Sequence, residues 1–150
     1  MKRLAPYACM FLCTLLAVNG FSQTASKPKQ FSNYPAVINC SEAELARIFT
    51  SPTGQRIDLS FSDNFLFSGN IINNDVKYSN LQSAIVRSQA FNNTVFGISK
   101  RINDDNSITY VGRIINKSYF DGYELKKNSN GNYQLIKIET DKVIQDCSQH

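Results

Sequence analysis

The sequence predicts a mainly β protein of the β-rich α+β class. An antiparallel meander of about seven strands would form a curved sheet or small barrel, with one short N-terminal capping helix. From Arg56 onward, apolar and polar residues alternate with the period of two that is typical of half-buried strands. Clusters of Asn, Asp, Gly and Ser separate these runs, and such short connections favour antiparallel neighbours. Before Arg56, one segment has a helical period instead.

The N-terminus has the three-part layout of a secretory signal. Residues 1–3 are basic at two positions, residues 4–18 are mostly apolar, and residues 19–23 are small or polar. The apolar run is too short for a comfortable membrane span. Gly20 and Ser22 stand at −3 and −1 of a cleavage site. We expect residues 1–22 to be removed, giving a secreted or periplasmic protein with no integral membrane segment. The Gly-Phe-Ser-Gln ending resembles signal peptides of the Bacteroidota.

The segment after the signal is interpreted as a flexible leader over residues 23–36, because it is polar and contains two prolines. Residues 37–150 then form a single β-rich domain, which suits the 150-residue length and the 42% hydrophobic content. Ser41 and Glu44 have the spacing of a capping box, in which each side chain bonds the other's backbone amide. Apolar residues follow at helical spacing, so the capping helix is predicted over 41–50.

The remaining chain provides the strands, and Asn130-Gly131 is the strongest hairpin signal among their turns. Strands are predicted at 56–61, 64–72, 76–87 with a break near Ser79-Asn80, 94–102, 107–115, 121–127 and 132–138. The tail over 140–147 fits either an edge strand or a short helical turn. The predicted core consists of Phe61, Phe65, Phe67, Ile71, Ile85, Phe96, Ile98, Tyr110, Ile114, Leu125 and Leu135.

Two of the four cysteines lie in the signal, so the exported chain keeps Cys40 and Cys147. In an oxidising compartment these two predict one disulfide. That bridge would close almost the whole domain and, in the chain-entropy model, stabilise it by roughly 4–5 kcal/mol.

Several function classes are disfavoured by composition. The single histidine, His150, cannot build a poly-histidine metal site, and no phosphate loop, nucleophile elbow or metal-binding motif occurs. We therefore predict no catalytic, cofactor-binding or metal-binding residues and no cofactor. The formal charge of +4 is spread along the chain, which is not the footprint of a nucleic-acid-binding protein.

Six residues are candidate contacts to a ligand or partner. Arg87, Lys100 and Arg113 fall on adjacent predicted strands, where they could form a basic patch. Alternation places Arg113 on the face of Val111 and Ile115, which favours an outward side chain. The other three candidates are aromatic residues near predicted loops, where exposed rings often mark recognition; they are Tyr119, Phe120 and Tyr123.

The leading functional hypothesis is an exported, non-enzymatic β-domain that binds a protein, a glycan or a small apolar ligand. The alternative is a lipocalin-like carrier whose barrel cavity is lined by Phe65, Phe67, Phe96, Ile98 and Tyr110. A less favoured third hypothesis is a hydrolase that uses carboxylates at strand ends, namely Asp58, Asp121 and Glu124.

Overall fold

The computed structural model describes residues 27–143, so the signal segment 1–22 and Cys147 lie outside the described residues. Eight strands and two helices form the described part of the chain. In chain order they are β1 (Val37–Cys40), α1 (Glu42–Thr50), β2 (Arg56–Ser62), β3 (Phe65–Tyr78), β4 (Leu81–Ser88), β5 (Thr94–Ile102), β6 (Ile108–Ile115), β7 (Asp121–Lys127), β8 (Tyr133–Glu139) and α2 (Thr140–Val143).

The strands form one nearly closed, barrel-like sheet in the order β1-β8-β7-β6-β5-β4-β3-β2. Every pairing is antiparallel, and β2 to β8 follow one another as neighbours along the chain. The two edge strands, β1 and β2, come within 8 Å between Cα atoms but share no ladder. The predicted β-rich meander with a capping helix is confirmed, with one strand more than the sequence indicated.

Helix α1 covers one end of the barrel, here called the helix end. Its N-terminus is capped as predicted, because the Ser41 hydroxyl accepts a hydrogen bond from the Glu44 backbone amide at 3.2 Å. The other half of the predicted capping box is absent: the Glu44 carboxylate accepts from Arg47 and from the Ser60 amide instead. The apolar stripe of the helix, Leu45, Ile48 and Phe49, is buried against the sheet.

The opposite end, here called the segment end, is covered by residues 27–36, here called the N-terminal segment. The buried Asp121 carboxylate accepts the Gln30 amide at 2.6 Å and the Phe31 amide at 3.0 Å. The Lys137 ammonium donates to the carbonyls of Phe31 and Tyr34, both at 2.7 Å. The prediction of a flexible leader is therefore wrong for residues 27–36, because these backbone groups and the Phe31 ring find buried partners on the barrel.

Aromatic rings fill the barrel interior near the segment end. Phe31 lies 5.1 Å from Tyr123 and 5.4 Å from Phe91 between ring centroids. Phe91 in turn stacks on Phe67 at 5.7 Å, and Phe65 lies 5.5 Å from Tyr123. Such pairs contribute about 0.5–1.5 kcal/mol each beyond the burial of their area. Phe31 thus belongs to the hydrophobic core, although it precedes the predicted start of the domain.

The β3–β4 hairpin departs from the prediction. Residues 73–75, which separate the predicted strands 64–72 and 76–87, are part of β3. This strand continues to Tyr78, and the chain turns at Ser79-Asn80, where the break within 76–87 is predicted. The register shifts between Ile71 and Asn73, so one extra residue is accommodated as a bulge. The Asn74 amide group then faces the carbonyls of Phe49 and Ser51, at 3.1 and 2.9 Å. Asn74, a residue type common in turns, therefore provides hydrogen bonds to carbonyl groups at the C-terminal end of α1.

Ten of the eleven predicted core residues are buried, and Ile85 is the exception. On β4 the buried positions are Ala84, Val86 and Ser88, so Ile85 lies half-buried on the outer face. The other missed feature is β1, whose Ile38 and Cys40 face inward while Val37 and Asn39 face out. The tail forms the short helix α2 over Thr140–Val143, where the described residues end.

Candidate functional site

A groove of about 710 Å³ crosses the outer face of β5, β6 and β7. Because strand side chains alternate between faces, the outward residues of these strands form most of its floor, and some residues between them also border it. This site, here called the outer groove, is lined chiefly by Val95, Gly97, Ser99, Val111, Arg113 and Ile115. An outward face of this kind is usually polar, yet Val111 is 56% exposed here.

Gly97 accounts for the depth of the groove at its centre. The ladder places Gly97 between Ile85 on β4 and Arg113 on β6. A Cβ built on Gly97 would have no heavy atom within 4 Å, so the missing side chain leaves open space between larger neighbours. Gly112 is different, because a Cβ there would lie 2.6 Å from the Gly97 carbonyl oxygen. Gly97 therefore shapes a surface, whereas Gly112 allows close backbone packing.

At the side of the groove that faces the helix end, β6 and β7 separate. Their ladder has three pairs and stops at Gly112–Leu125. Beyond it, the Tyr110 amide donates to the Tyr133 hydroxyl at 3.0 Å instead of to a backbone carbonyl of β7. Tyr110 and Lys127 both border the groove at this point. A tyrosine hydroxyl thus replaces a strand contact and keeps the two strands apart.

Charged groups form one rim of the outer groove. The Glu124 carboxylate contacts the Lys126 ammonium and the Arg113 guanidinium, each at 2.8 Å. Hydrogen bonds from Lys126 and from Arg113 lower the pKa of Glu124 below its usual value. Surface pairs of this kind contribute little to stability, about 0–1 kcal/mol. Their main effect is to hold both signs of charge beside an apolar floor.

The predicted basic contacts are divided between two faces of the sheet. Arg87 and Arg113 point outward, as alternation predicts for Arg113, and Arg87 is the register partner of Val95 at the edge of the groove. Lys100 lies on the inner face, with its nitrogen 6.0 Å from the centre of the Phe49 ring. The three residues therefore do not form a single basic patch.

The predicted aromatic contacts all lie toward the segment end. Tyr119 accepts a hydrogen bond from the Asn92 side chain at 2.5 Å, and Phe120 borders a hollow of about 600 Å³ that extends to Val143, where the described residues end. The prediction that Tyr123 contacts a ligand or partner is wrong, because its side chain is fully buried and its hydroxyl donates to the Pro35 carbonyl at 2.7 Å. Burial raises the pKa of Tyr123 to about 12.

The carboxylates proposed for hydrolysis do not converge. Asp121 is buried and accepts backbone amides of the N-terminal segment, whereas Glu124 pairs with cations on the outer face. Asp58 is exposed on β2, 3.6 Å from the Arg56 guanidinium. Over residues 27–143, no group of three or more His, Cys, Asp or Glu residues could hold a metal ion.

The carrier hypothesis needs an interior space, but its lining residues contact one another or their neighbours. Phe65, Phe67, Phe96, Ile98 and Tyr110 are all at most 4% exposed. Phe67 and Phe96, for example, have ring centroids 6.1 Å apart. These side chains therefore pack against one another in the barrel interior, and the carrier hypothesis stays a prediction.

Comparisons with protein-family models, with curated proteins and with solved structures found no match to this chain. Among the described helices, none has the length and apolar character needed to cross a membrane.

The sequence reasoning missed the centre of the outer groove. Alternation predicts strands at Val95, Gly97 and Val111 but indicates no binding role for them. A glycine inside a strand pattern, as at Gly97, is the available signal, because it marks either a bulge or the close approach of another group. A glycine in a strand pattern does not indicate on which face of the sheet its missing side chain leaves space.

Proposed function

We propose that this protein is an exported, non-enzymatic binding module that holds an extended apolar polypeptide segment in the outer groove. The observation that supports the proposal is the open, largely apolar floor around Gly97, on the outward face of a barrel whose interior is filled. A sizeable exposed apolar depression rimmed by polar residues is typical of an interaction site.

The shape and chemistry of the groove favour a polypeptide over a glycan. Val95, Val111 and Ile115 provide aliphatic contact, and the paired charges of Arg113 and Glu124 can bond backbone carbonyls and amides of a ligand. The one aromatic residue in the lining, Tyr110, is 4% exposed, so it offers no ring face to a sugar. An extended segment can alternate apolar side chains into the floor and polar ones toward the rim.

Export is part of the proposal and is supported by the three-part N-terminal layout, which lies outside the described residues. The Cys40–Cys147 disulfide belongs with it. Cys40 is 7% exposed, and burial raises the pKa of its thiol to about 12, so Cys40 is unsuited to act as a nucleophile. The mass of the denatured, unreduced protein would report both the cleavage site and the bridge.

The groove is tested by filling it without disturbing the fold. Gly97→Phe adds a ring to the groove at a position where an ideal Cβ has no described heavy atom within 4 Å, so we expect the backbone to accept the substitution. Random short peptides displayed on phage would be selected on the immobilised wild-type protein and then measured on both proteins. We expect the selected peptides to be rich in aliphatic residues and to bind Gly97→Phe about tenfold more weakly, or worse.

Ser60→Phe is the matched control, because Ser60 is an exposed, outward residue on β2, away from the groove. It adds the same ring to the same face of the sheet and should leave binding unchanged. Selection of no peptide, or of peptides that bind all three proteins equally, would contradict the proposed site.

A further inference from the structure

A second, smaller depression lies on the outer face of β2, β3 and β4. It has a volume of about 80 Å³ and is lined by Arg56, Ser68, Asn70, Arg87 and Gln89, together with Gly69 and Ala90. This site, here called the arginine notch, shares no lining residue with the outer groove. What it binds is therefore a question separate from the proposed function.

The notch exists because β3 and β4 part at this point. Their ladder reaches Asn70–Arg87 and no further, while β3 continues back to Phe65 beside β2 alone. Gly69 follows directly beyond the last pair and still allows the two backbones to lie close together, since a Cβ there would lie 2.6 Å from the Arg87 carbonyl oxygen. Ser68 on one side and Gln89 on the other then face an opening.

Two arginines share this opening. The register aligns Arg56 with Asn70 and Asn70 with Arg87, which forms one row across three strands. Strands lie about 4.8 Å apart, so the two arginine Cα atoms are roughly 10 Å apart and both side chains can reach one point between them. The amide of Asn70, the hydroxyl of Ser68 and the amide of Gln89 add neutral donors around that point.

The positive charge of the notch is poorly compensated. Arg56 has Asp58 at 3.6 Å, but these side chains are 73% and 53% exposed, so the pair is weak. Within residues 27–143, the Arg87 guanidinium has no carboxylate oxygen within 4 Å, whereas Arg113 holds Glu124 at 2.8 Å. None of the described residues that line the notch is acidic, although Asp58 is the register partner of Ser68 at its border. Arg87, together with an Arg56 whose one carboxylate partner is exposed, is suited to an oxyanion.

We infer that the arginine notch binds a doubly charged tetrahedral oxyanion, namely inorganic sulfate, inorganic phosphate or the phosphate monoester group of a larger ligand. Two guanidinium charges match a dianion better than a carboxylate. The volume of about 80 Å³ equals two to three water molecules at roughly 30 Å³ each, which admits one such group. The notch binds the charged group of a ligand, and the rest of that ligand lies over the surface.

The test is a titration of the ¹⁵N-labelled mature protein with inorganic sulfate, inorganic phosphate and acetate at matched ionic strength. The chemical shifts of the backbone amides are measured by NMR at each step. We expect saturable shifts at Ser68, Asn70 and Arg87 for both dianions, and binding of acetate about fivefold weaker or worse. Stronger binding of sulfate than of phosphate, or the reverse, supports the site and shows which group it prefers.

Variants separate the notch from general cationic attraction. Arg56→Gln and Arg87→Gln should each weaken dianion binding about fivefold or more, because each removes one charged donor pair. Arg101→Gln is the control: Arg101 is exposed on β5 and lies outside the notch. Shifts that do not saturate, equal binding of acetate, or an equal loss in Arg101→Gln would overturn the inference.

Discussion

Replacing Asp121 by alanine removes the carboxylate that holds the N-terminal segment on the barrel. Asp121 is 3% exposed and accepts the Gln30 and Phe31 amides at 2.6 and 3.0 Å. Hydrogen bonds to a charged group contribute about 1.5–3 kcal/mol each, so losing both should cost about 3–6 kcal/mol. That is a large part of the roughly 5–15 kcal/mol that stabilises a typical domain.

Urea unfolding followed by circular dichroism measures this cost. Asp121→Asn should lose about half as much, about 1.5–3 kcal/mol, because one acceptor oxygen remains. Trypsin should also cleave after Lys29 faster in Asp121→Ala, since the segment that carries Lys29 is released. Asp141→Ala is the control, because it removes an exposed ion pair with Lys27 and should cost less than about 1 kcal/mol. A loss that small for Asp121→Ala would refute the role of the carboxylate.

Three further results are expected. Gly112→Ala should destabilise the protein by about 1–3 kcal/mol, because its Cβ would clash with the backbone, whereas Gly97→Ala should be neutral or stabilising by up to about 1 kcal/mol. Thermal unfolding of both variants compares these effects. Equal losses of stability would contradict the roles assigned to the two glycines. The folded-state pKa of Glu124 is lowered, so its stabilising effect is present at neutral pH and is lost as the pH falls below about 4.5. Glu124→Gln should therefore lose less stability than the wild type between about pH 5 and pH 3, and parallel curves from urea unfolding would contradict the ion pairs. In a Cys147→Ser variant at about pH 8, iodoacetamide should label Cys40 of the folded protein at least about a hundredfold more slowly than Cys40 of the protein unfolded in urea. The reason is that burial raises the pKa of the thiol to about 12. Comparable labelling rates would mean that the thiol is accessible in the folded protein.

The sequence predicted the parts of the fold that depend on local pattern. Period-two alternation predicts the strands from Arg56 onward, except that residues 73–75 continue β3 where a turn is predicted. A Ser41 cap followed by an apolar stripe predicts helix α1. It missed β1, which is four residues long and pairs with the last strand of the chain, a partner that no local pattern can indicate. It also missed the role of the N-terminal segment, because the backbone groups of that segment are held by side chains of β7 and β8.

The candidate sites depend on register, which is why sequence reasoning reached them only in part. Alternation predicted that Arg113 points outward, and the structure confirms it. The opening at Gly97 requires Ile85 to face outward, and a local pattern cannot choose between Ile85 and its neighbours Ala84 and Val86. The arginine notch requires Arg56 and Arg87 to align across β3, and a bulge in that hairpin changes the register beyond what spacing alone indicates.

The most direct test of the outer groove uses a probe that needs no known ligand. The ¹⁵N-labelled mature protein would be titrated with isopropanol, whose branched pair of methyl groups resembles an aliphatic side chain. The outer groove predicts the largest amide shifts at Gly97, Ser99 and Val111, and their loss in Gly97→Phe but not in Ser60→Phe. Largest shifts elsewhere, such as around Phe120 at the segment end, or shifts that Gly97→Phe leaves unchanged, would contradict the assignment of the outer groove as the binding surface.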